Sequence, residues 1–276
     1  MTPKTDVKFY RDAGLKGIDI CRANNSRHNF PEHFHDDLYI IGHITAGACY
    51  CLEVGNSDTI AEPGGVTLLN PGQIHSGVPL KDEHLTYTMC HIPADTLAGM
   101  AEDVGISENK TPEFTTPVTQ DPKAAALVSH LFSTLINSRD SLEKEVLMLS
   151  ATHFLLSRHG GRQSVQKGTV LRHQPVVRAR DLLAGELDRK MTLAEVSRSV
   201  GLSQYHFIRA FKRETGLSPH MYRTLKRIER ASSLLRSGMP PAQVALETGF
   251  SDQSHFANTF RRYMGATPKQ YMAMTA

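Results

Sequence analysis

Three histidines have the residue type and spacing of ligands. His33 and His35 stand one residue apart in PEHFHDD. On an extended strand both side chains leave one face, about 6.6 Å apart. His75, in NPGQIHSG, can approach them from a neighbouring strand. Imidazoles donate and accept hydrogen bonds, titrate near neutrality and coordinate transition metals. The trio can therefore line a pocket for a small polar effector, pack a core as ordinary histidines, or hold a metal. A two-histidine, one-carboxylate centre needs an acid within reach. Asp37 has the right parity but falls about 13 Å along the strand from His33. Cys49 and Cys51 also share a strand face, which allows a thiolate pair, although two small thiols packing a core is the simpler reading. His28, His43 and His91 show no usable spacing, and no Ser/His/Asp arrangement, phosphate-binding glycine loop or paired-carboxylate pattern stands out.

A second set of residues has the chemistry of nucleic-acid contact, and it occurs twice. Gly201-Leu202-Ser203 matches Gly249-Phe250-Ser251 at an offset of 48. After one inserted residue the offset is 49, for His206-Phe207 and His255-Phe256, Phe211 and Phe260, Gly216 and Gly265, Pro219 and Pro268, Tyr222 and Tyr271. In each copy a short helix (192–200; 241–248) ends at a glycine suited to a tight left-handed turn, and Ser203 or Ser251 caps the next helix. Phe207/Phe211 and Phe256/Phe260, at i and i+4, form its buried stripe. The opposite face offers Tyr205, Ile208 and Arg209 in the first copy and Ser254, Ala257 and Asn258 in the second. Lys212-Arg213 and Arg261-Arg262 follow, suited to phosphates. This is the pattern of two helix-turn-helix units. Between them MYRTLKRIERASSLLRSG reads as one helix spanning roughly 27 Å, near the ~34 Å between successive major grooves on one face of B-DNA. Lys190, Arg223, Lys226, Arg227 and Lys269 are further phosphate candidates.

The rest of the chain must position these groups. The first ~95 residues read as strands, with apolar runs at 38–45, 49–54 and 65–69 between Gly, Pro and Asn punctuation. From Ala94 the pattern turns helical. Asp121-Pro122 marks an N-cap with proline at the first helical position, and Asp140-x-x-Glu143 resembles a capping box. The helix from Asp140 to Ser157 carries two apolar stripes, Leu142/Val146/Leu149/Leu156 and Leu147/Ala151/Phe154. The surplus stripe faces either a partner subunit or the neighbouring helix. Residues 158–174 are polar and aperiodic, the pattern of a linker.

Composition agrees with two domains of opposite charge. Residues 170–276 carry 17 Lys and Arg against 8 Asp and Glu, whereas the preceding residues carry 14 against 20. A basic module is thus joined to an acidic one, as expected where one half binds a polyanion. With 276 residues, 40% hydrophobic and 21% charged, the chain can build two cores. No apolar run nears the ~18 residues of a membrane helix, and the first residues lack a secretory core. Four cysteines form no CxxC pair. A cytoplasmic location is expected.

Residues 175–276 resemble the DNA-binding domain of the AraC/XylS family of transcription regulators, and the stretch GFSDQSHFANTFRRYMGATPKQY is close to the family signature. The resemblance implies two helix-turn-helix subdomains joined by a helix. By position it implies base contacts from Tyr205, Ile208, Arg209, Ser254 and Asn258. Ile208 cannot hydrogen-bond a base but can touch a thymine methyl. His33-x-His35, Gly47, Gly64-Gly65 and Pro71-Gly72-x-x-His75 resemble the cupin-like sensor barrel of the same family, which implies a small effector and dimerising helices behind the barrel. In cupin enzymes the matching histidines hold a metal together with a glutamate. The corresponding position here, four residues after His35, is Tyr39.

The expectation is an α+β protein with a cupin-like effector barrel over 1–95, a helical dimerisation region over 96–160, a linker over 161–174 and an all-α double helix-turn-helix domain over 175–276. The expected function is a non-enzymatic, sequence-specific regulator, an activator that answers to a small molecule. Tyr205, Ile208, Arg209, Lys212, Arg213, Ser254, Asn258, Arg261 and Arg262 would meet double-stranded promoter DNA. His33, His35 and His75 would line the effector pocket, with no cofactor and no metal. The partners would be a second copy of the chain and RNA polymerase, with no membrane. The alternative is a metal-dependent cupin enzyme fused to a DNA-binding tail.

Overall fold

The computed structural model describes residues 6–11, 15, 17–54, 57–106, 111–161 and 174–273. The chain divides into two compact units after residue 163. The expected linker, 161–174, lies almost wholly outside the described residues.

The first unit is built on strands β1 (Asp6–Arg11), β2 (Asp19–Ser26), β3 (Phe30–His33), β4 (Leu38–Ala46), β5 (Cys49–Val54), β6 (Ser57–Ala61), β7 (Val66–Leu69), β8 (His75–Pro79), β9 (Leu85–Pro93) and the two-residue β10 (Val118–Thr119). They form two antiparallel sheets, ordered β1-β2-β9-β4-β7-β10 and β3-β8-β5-β6. Helices α1 (Ala94–Asp103), α2 (Pro122–Asn137) and α3 (Ser141–His159) complete the unit.

Side-chain alternation sorts the larger sheet into two faces. Tyr39 and Ile41 of β4, Val66 and Leu68 of β7, and Cys90 and Ile92 of β9 enter one core with Leu97 of α1, Val128, Leu131 and Phe132 of α2, and Met148, Ala151 and Leu155 of α3. Ile40 and Ile44, Leu69, and Leu85 and Tyr87 enter a second core with Cys49, Cys51 and Ala61 of the smaller sheet. Burial on both faces explains the nearly continuous apolar run from Leu38 to Ile44.

The helix ends follow their sequence signals, with one difference. Asp121 caps α2, accepting from the Lys123 amide at 2.9 Å, and its carboxylate also meets Arg158 and His159 at the end of α3, the latter at 3.3 Å. Asp140 caps α3, accepting from the amides of Leu142 at 2.9 Å and Glu143 at 3.2 Å. The expected capping box does not close, because the Glu143 carboxylate accepts from Ser138 Oγ instead of the Asp140 amide. Of the two stripes on α3, Ala151 and Leu156 are buried, whereas Leu142 is 68% exposed and Val146 54%.

The second unit comprises α4 (Gln174–Gly185), α5 (Leu193–Ser199), α6 (Gln204–Thr215), α7 (Pro219–Arg236), α8 (Pro241–Glu247), α9 (Gln253–Met264) and α10 (Pro268–Met272). Thr192 and Glu195 close a reciprocal capping box on α5. The repeat is geometric as well as sequential. Phe207 and Phe211 lie 5.5 Å apart, with Tyr222 5.4 Å from Phe211; Phe256 and Phe260 lie 5.5 Å apart, with Tyr271 5.3 Å from Phe260. Ser203 caps α6 as expected. In the second copy the cap is Asp252, which accepts from the His255 amide at 2.8 Å, while Ser251 hydrogen-bonds the Asp252 side chain. The inserted residue thus shifts the cap by one position, which is why the offset changes from 48 to 49. Among the described residues, no helix is long and apolar enough to cross a membrane.

The matched turn glycines carry different constraints. Gly201 and Gly249 both have positive φ, +71° and +72°. A Cβ on Gly201 meets nothing within 4 Å, whereas one on Gly249 falls 2.3 Å from the Leu187 carbonyl oxygen and 2.8 Å from the Asp188 Cα. Gly201→Ala is expected to cost only the left-handed strain of about 1–2 kcal/mol. Gly249→Ala adds a backbone clash and should cost clearly more. Paired chemical denaturation of the two variants checks this, and equal losses would refute the packing account.

Candidate functional site

The interior of the first unit brings the predicted histidines together, by a route that differs from a single strand face. His33 ends β3, and His35 lies beyond it in the connection to β4. His75 opens β8 directly opposite His33 in the antiparallel register. The ring centroids of His33 and His75 are 4.2 Å apart, those of His33 and His35 5.2 Å, and those of His35 and His75 5.5 Å. His33 Nδ1 donates to the Pro31 carbonyl at 2.8 Å and His75 Nδ1 to the Gln73 carbonyl at 2.9 Å. A carbonyl oxygen only accepts, so each of these neutral rings carries its lone pair on Nε2.

A fourth imidazole, His91, joins them. It lies on β9, paired with Asp19 of β2 and Ile40 of β4 and in phase with Tyr87. Its ring is 5.6 Å from that of His35. Alternation along β9 places His91 and Tyr87 on one face. Only the register between strands far apart in sequence shows that this face meets His35. Further along that face, beside Phe30, the Tyr87 hydroxyl is buried with no hydrogen-bond partner among the described residues.

Burial dominates the electrostatics. It lowers the His33 pKa to about 4, helped by nearby His91 and opposed by the bond to Pro31. Burial, with His33 and His91 alongside, holds His75 well below 6.5 against the bond to Gln73. Burial also pushes the Cys49 thiol up to about 11 and the Cys51 thiol up to about 12, so both are protonated packing groups rather than thiolates. Tyr39, at the position of the cupin glutamate, is buried on the other face of β4, where its hydroxyl donates to the Pro112 carbonyl. Asp37 is exposed.

In the second unit Tyr205 is 63% exposed on α6, with Ile208 and Arg209 beside it. Arg209 Nη1 donates to the Tyr205 hydroxyl at 3.0 Å, and its guanidinium lies 5.5 Å from the ring centroid. The pair holds the guanidinium on the outward face of the helix. Lys212 and Arg213 are exposed in the last turn of α6, and Ser254, Asn258, Arg261 and Arg262 are exposed along α9. Two phosphate candidates are corrected. Arg223 is buried and donates to the carbonyls of Glu186, at 2.7 Å, and Arg189. Arg227 donates to the Leu187 carbonyl through Nε at 3.0 Å and Nη2 at 2.8 Å. Both tie the loop after α4 to α7.

Residues 15–152 match the AraC-like ligand binding domain, and residues 196–274 match a helix-turn-helix domain. The HTH-type transcriptional regulator YbfI of Bacillus subtilis is 31% identical over 86% of this chain and 85% of its own. The multiple antibiotic resistance protein MarA of Escherichia coli is 35% identical over 33% of this chain and 72% of its own. In three dimensions, unsaturated fatty acid-bound ToxT of Vibrio cholerae superposes with a TM-score of 0.53 at 16% identity, covering 100% of this chain and 98% of that one. That similarity is one of fold.

The depressed imidazoles set a pH dependence. Unfolded histidine titrates near 6.5 and folded His33 near 4, so between these values the unfolded chain binds a proton that the fold refuses. This contribution to stability is present above pH ~6.5 and is lost as pH falls towards ~4. The melting temperature of ion-stripped protein should therefore fall through this range. His33→Asn, whose amide can replace Nδ1–H, should flatten the decline, and an unchanged slope would refute the assignment.

Proposed function

The chain belongs to the AraC family of transcription regulators, with an AraC-like ligand-binding domain and a helix-turn-helix DNA-binding domain, and from this premise we propose that it is a promoter-binding activator switched by a small polar effector held among His33, His35, His75 and His91. The observation that carries the reading is the polar patch inside an otherwise apolar sheet-to-sheet core. Four imidazoles converge there. Buried polar groups are costly unless satisfied, and a ligand that satisfies them stabilises whichever state presents them. The protein acts without turnover, because the acid that a cupin-type centre requires is replaced by Tyr39 on the opposite face of β4. Its setting is the cytoplasm and its further partner is RNA polymerase.

DNA recognition is divided between the two outward helices. On α6, Tyr205, Ile208 and Arg209 face bases, with Lys212 and Arg213 on phosphates; on α9, Ser254 and Asn258 face bases, with Arg261 and Arg262 on phosphates. Arg209→Ala should cost about 1–3 kcal/mol on the cognate site and relax preference at one base pair. Lys212→Ala should weaken binding evenly across sequences and reduce the salt slope by about 1. Fluorescence anisotropy on specific and random duplexes separates the two outcomes. Identical behaviour of both variants on both duplexes would show that the faces are misassigned.

The functional unit is a homodimer formed through the helices at 121–157. Leu142 and Val146 line an open groove with His130 and Leu147, and two large aliphatic side chains this exposed on one helix face suit a second copy of the same surface. Sedimentation velocity should show a wild-type dimer and a folded monomer for the Leu142→Asp/Val146→Asp double variant. A dimer that survives both changes would place the interface elsewhere.

A further inference from the structure

The donor atoms of the histidine cluster are arranged for a cation. His33 and His75 are anchored alike, each giving its Nδ1–H to the backbone carbonyl two residues earlier, at 2.8 and 2.9 Å. An imidazole that binds a metal through one nitrogen characteristically donates its other N–H to a carbonyl or carboxylate, which fixes tautomer and ring orientation. Here two rings facing each other across the β3–β8 register have that arrangement, with both Nε2 lone pairs directed away from the backbone.

The third ring completes a ligand set. One ring nitrogen from each of His33, His35 and His75 lies within 4.8 Å of the others. Around a tetrahedral ion with bonds of 2.0–2.1 Å, ligand nitrogens stand about 3.3 Å apart. Small side-chain rotations about anchored rings cover that difference. The donors are all neutral nitrogens, since Tyr39 replaces the carboxylate position and points into the helix-covered core. Such a set favours zinc and its late first-row neighbours over calcium or magnesium, which require oxygen.

We propose that His33, His35 and His75 bind one divalent transition-metal ion of the zinc class, through Nε2 of His33 and His75 and a ring nitrogen of His35. Three imidazoles leave one tetrahedral position open, on the side of the interior that His91 lines. The inference rests on the reading of this cluster as the effector site and gives that site a ligand class. It replaces the sequence-based expectation of no metal, which followed from the missing glutamate.

The test uses tag-free, full-length protein, stripped with a chelator, reloaded with zinc and counted by elemental analysis. A parallel titration with cobalt(II) reads the visible d–d bands of a tetrahedral nitrogen site. The expected result is about one ion per chain, tetrahedral cobalt bands and a melting temperature raised by zinc, with no rise from magnesium. His35→Ala and His75→Ala should lower ion affinity more than about tenfold, and the exposed control His153→Ala should retain it. If His75→Ala does not fold, His35→Ala decides, because His35 is the half-buried member of the trio. Clearly substoichiometric zinc in the wild type overturns the proposal, as does equal zinc in the folded variants. If zinc binds but promoter affinity is the same with and without it, the metal site stands and the effector reading falls. If zinc does not bind, the metal proposal falls and the effector reading is untouched.

Discussion

The antiparallel pairing of β4 with β9 governs the architecture of the first unit. With this register, Tyr39 and Ile41 lie beside Ile92 and Cys90 under the helices, while Ile40 lies beside His91 on the face towards the second sheet. A shift by one residue would exchange the two sets: His91 would enter the helix-covered core and Cys90 would line the interior. Burial on both faces makes such a slip costly. Apolar packing under the helices therefore holds the polar cluster in place on the opposite side of the sheet.

The second unit solves its packing problem twice with the same aromatic trio. Each recognition helix is clamped by two phenylalanines one turn apart and a tyrosine from the following helix. The exposed face is thereby relieved of any packing duty and is free to vary, as the contrast between Tyr205/Arg209 and Ser254/Asn258 shows. The guanidinium groups of buried Arg223 and half-buried Arg227 hold the carbonyls that follow α4 against the connecting helix. Cations that look like DNA contacts in a basic helix thus serve instead as fasteners. A guanidinium can satisfy several carbonyls at once, which suits it to a buried loop end that lacks regular pairing.

Much of this was legible in the residues alone. The duplicated helix-turn-helix is set by local signals: a glycine stop, a polar cap, phenylalanines at i and i+4, then paired cations. Ser203, Asp121 and Asp140 all cap the helices they were expected to cap. Each of these features depends on residues within a few positions of one another, so local sequence can specify it. The strand runs were legible for the same reason, through their boundaries and turn residues.

Four features were decided by tertiary structure. His91 meets His35 only because β9 lies beside β4, a pairing between segments about fifty residues apart that no spacing encodes. Tyr39 leaves the histidine cluster because the chain turns between His35 and β4, so parity counted along one continuous strand is lost. Asp252 rather than Ser251 caps α9 because the inserted residue is absorbed before the helix begins. Arg223 is buried and Arg227 half-buried because the loop after α4 folds over them. Sequence by itself determined which segments are helices or strands and which residues could do chemistry, since periodicity and capping are local. Tertiary structure decided which of those residues meet, since strand register and loop path depend on the energy of the whole core.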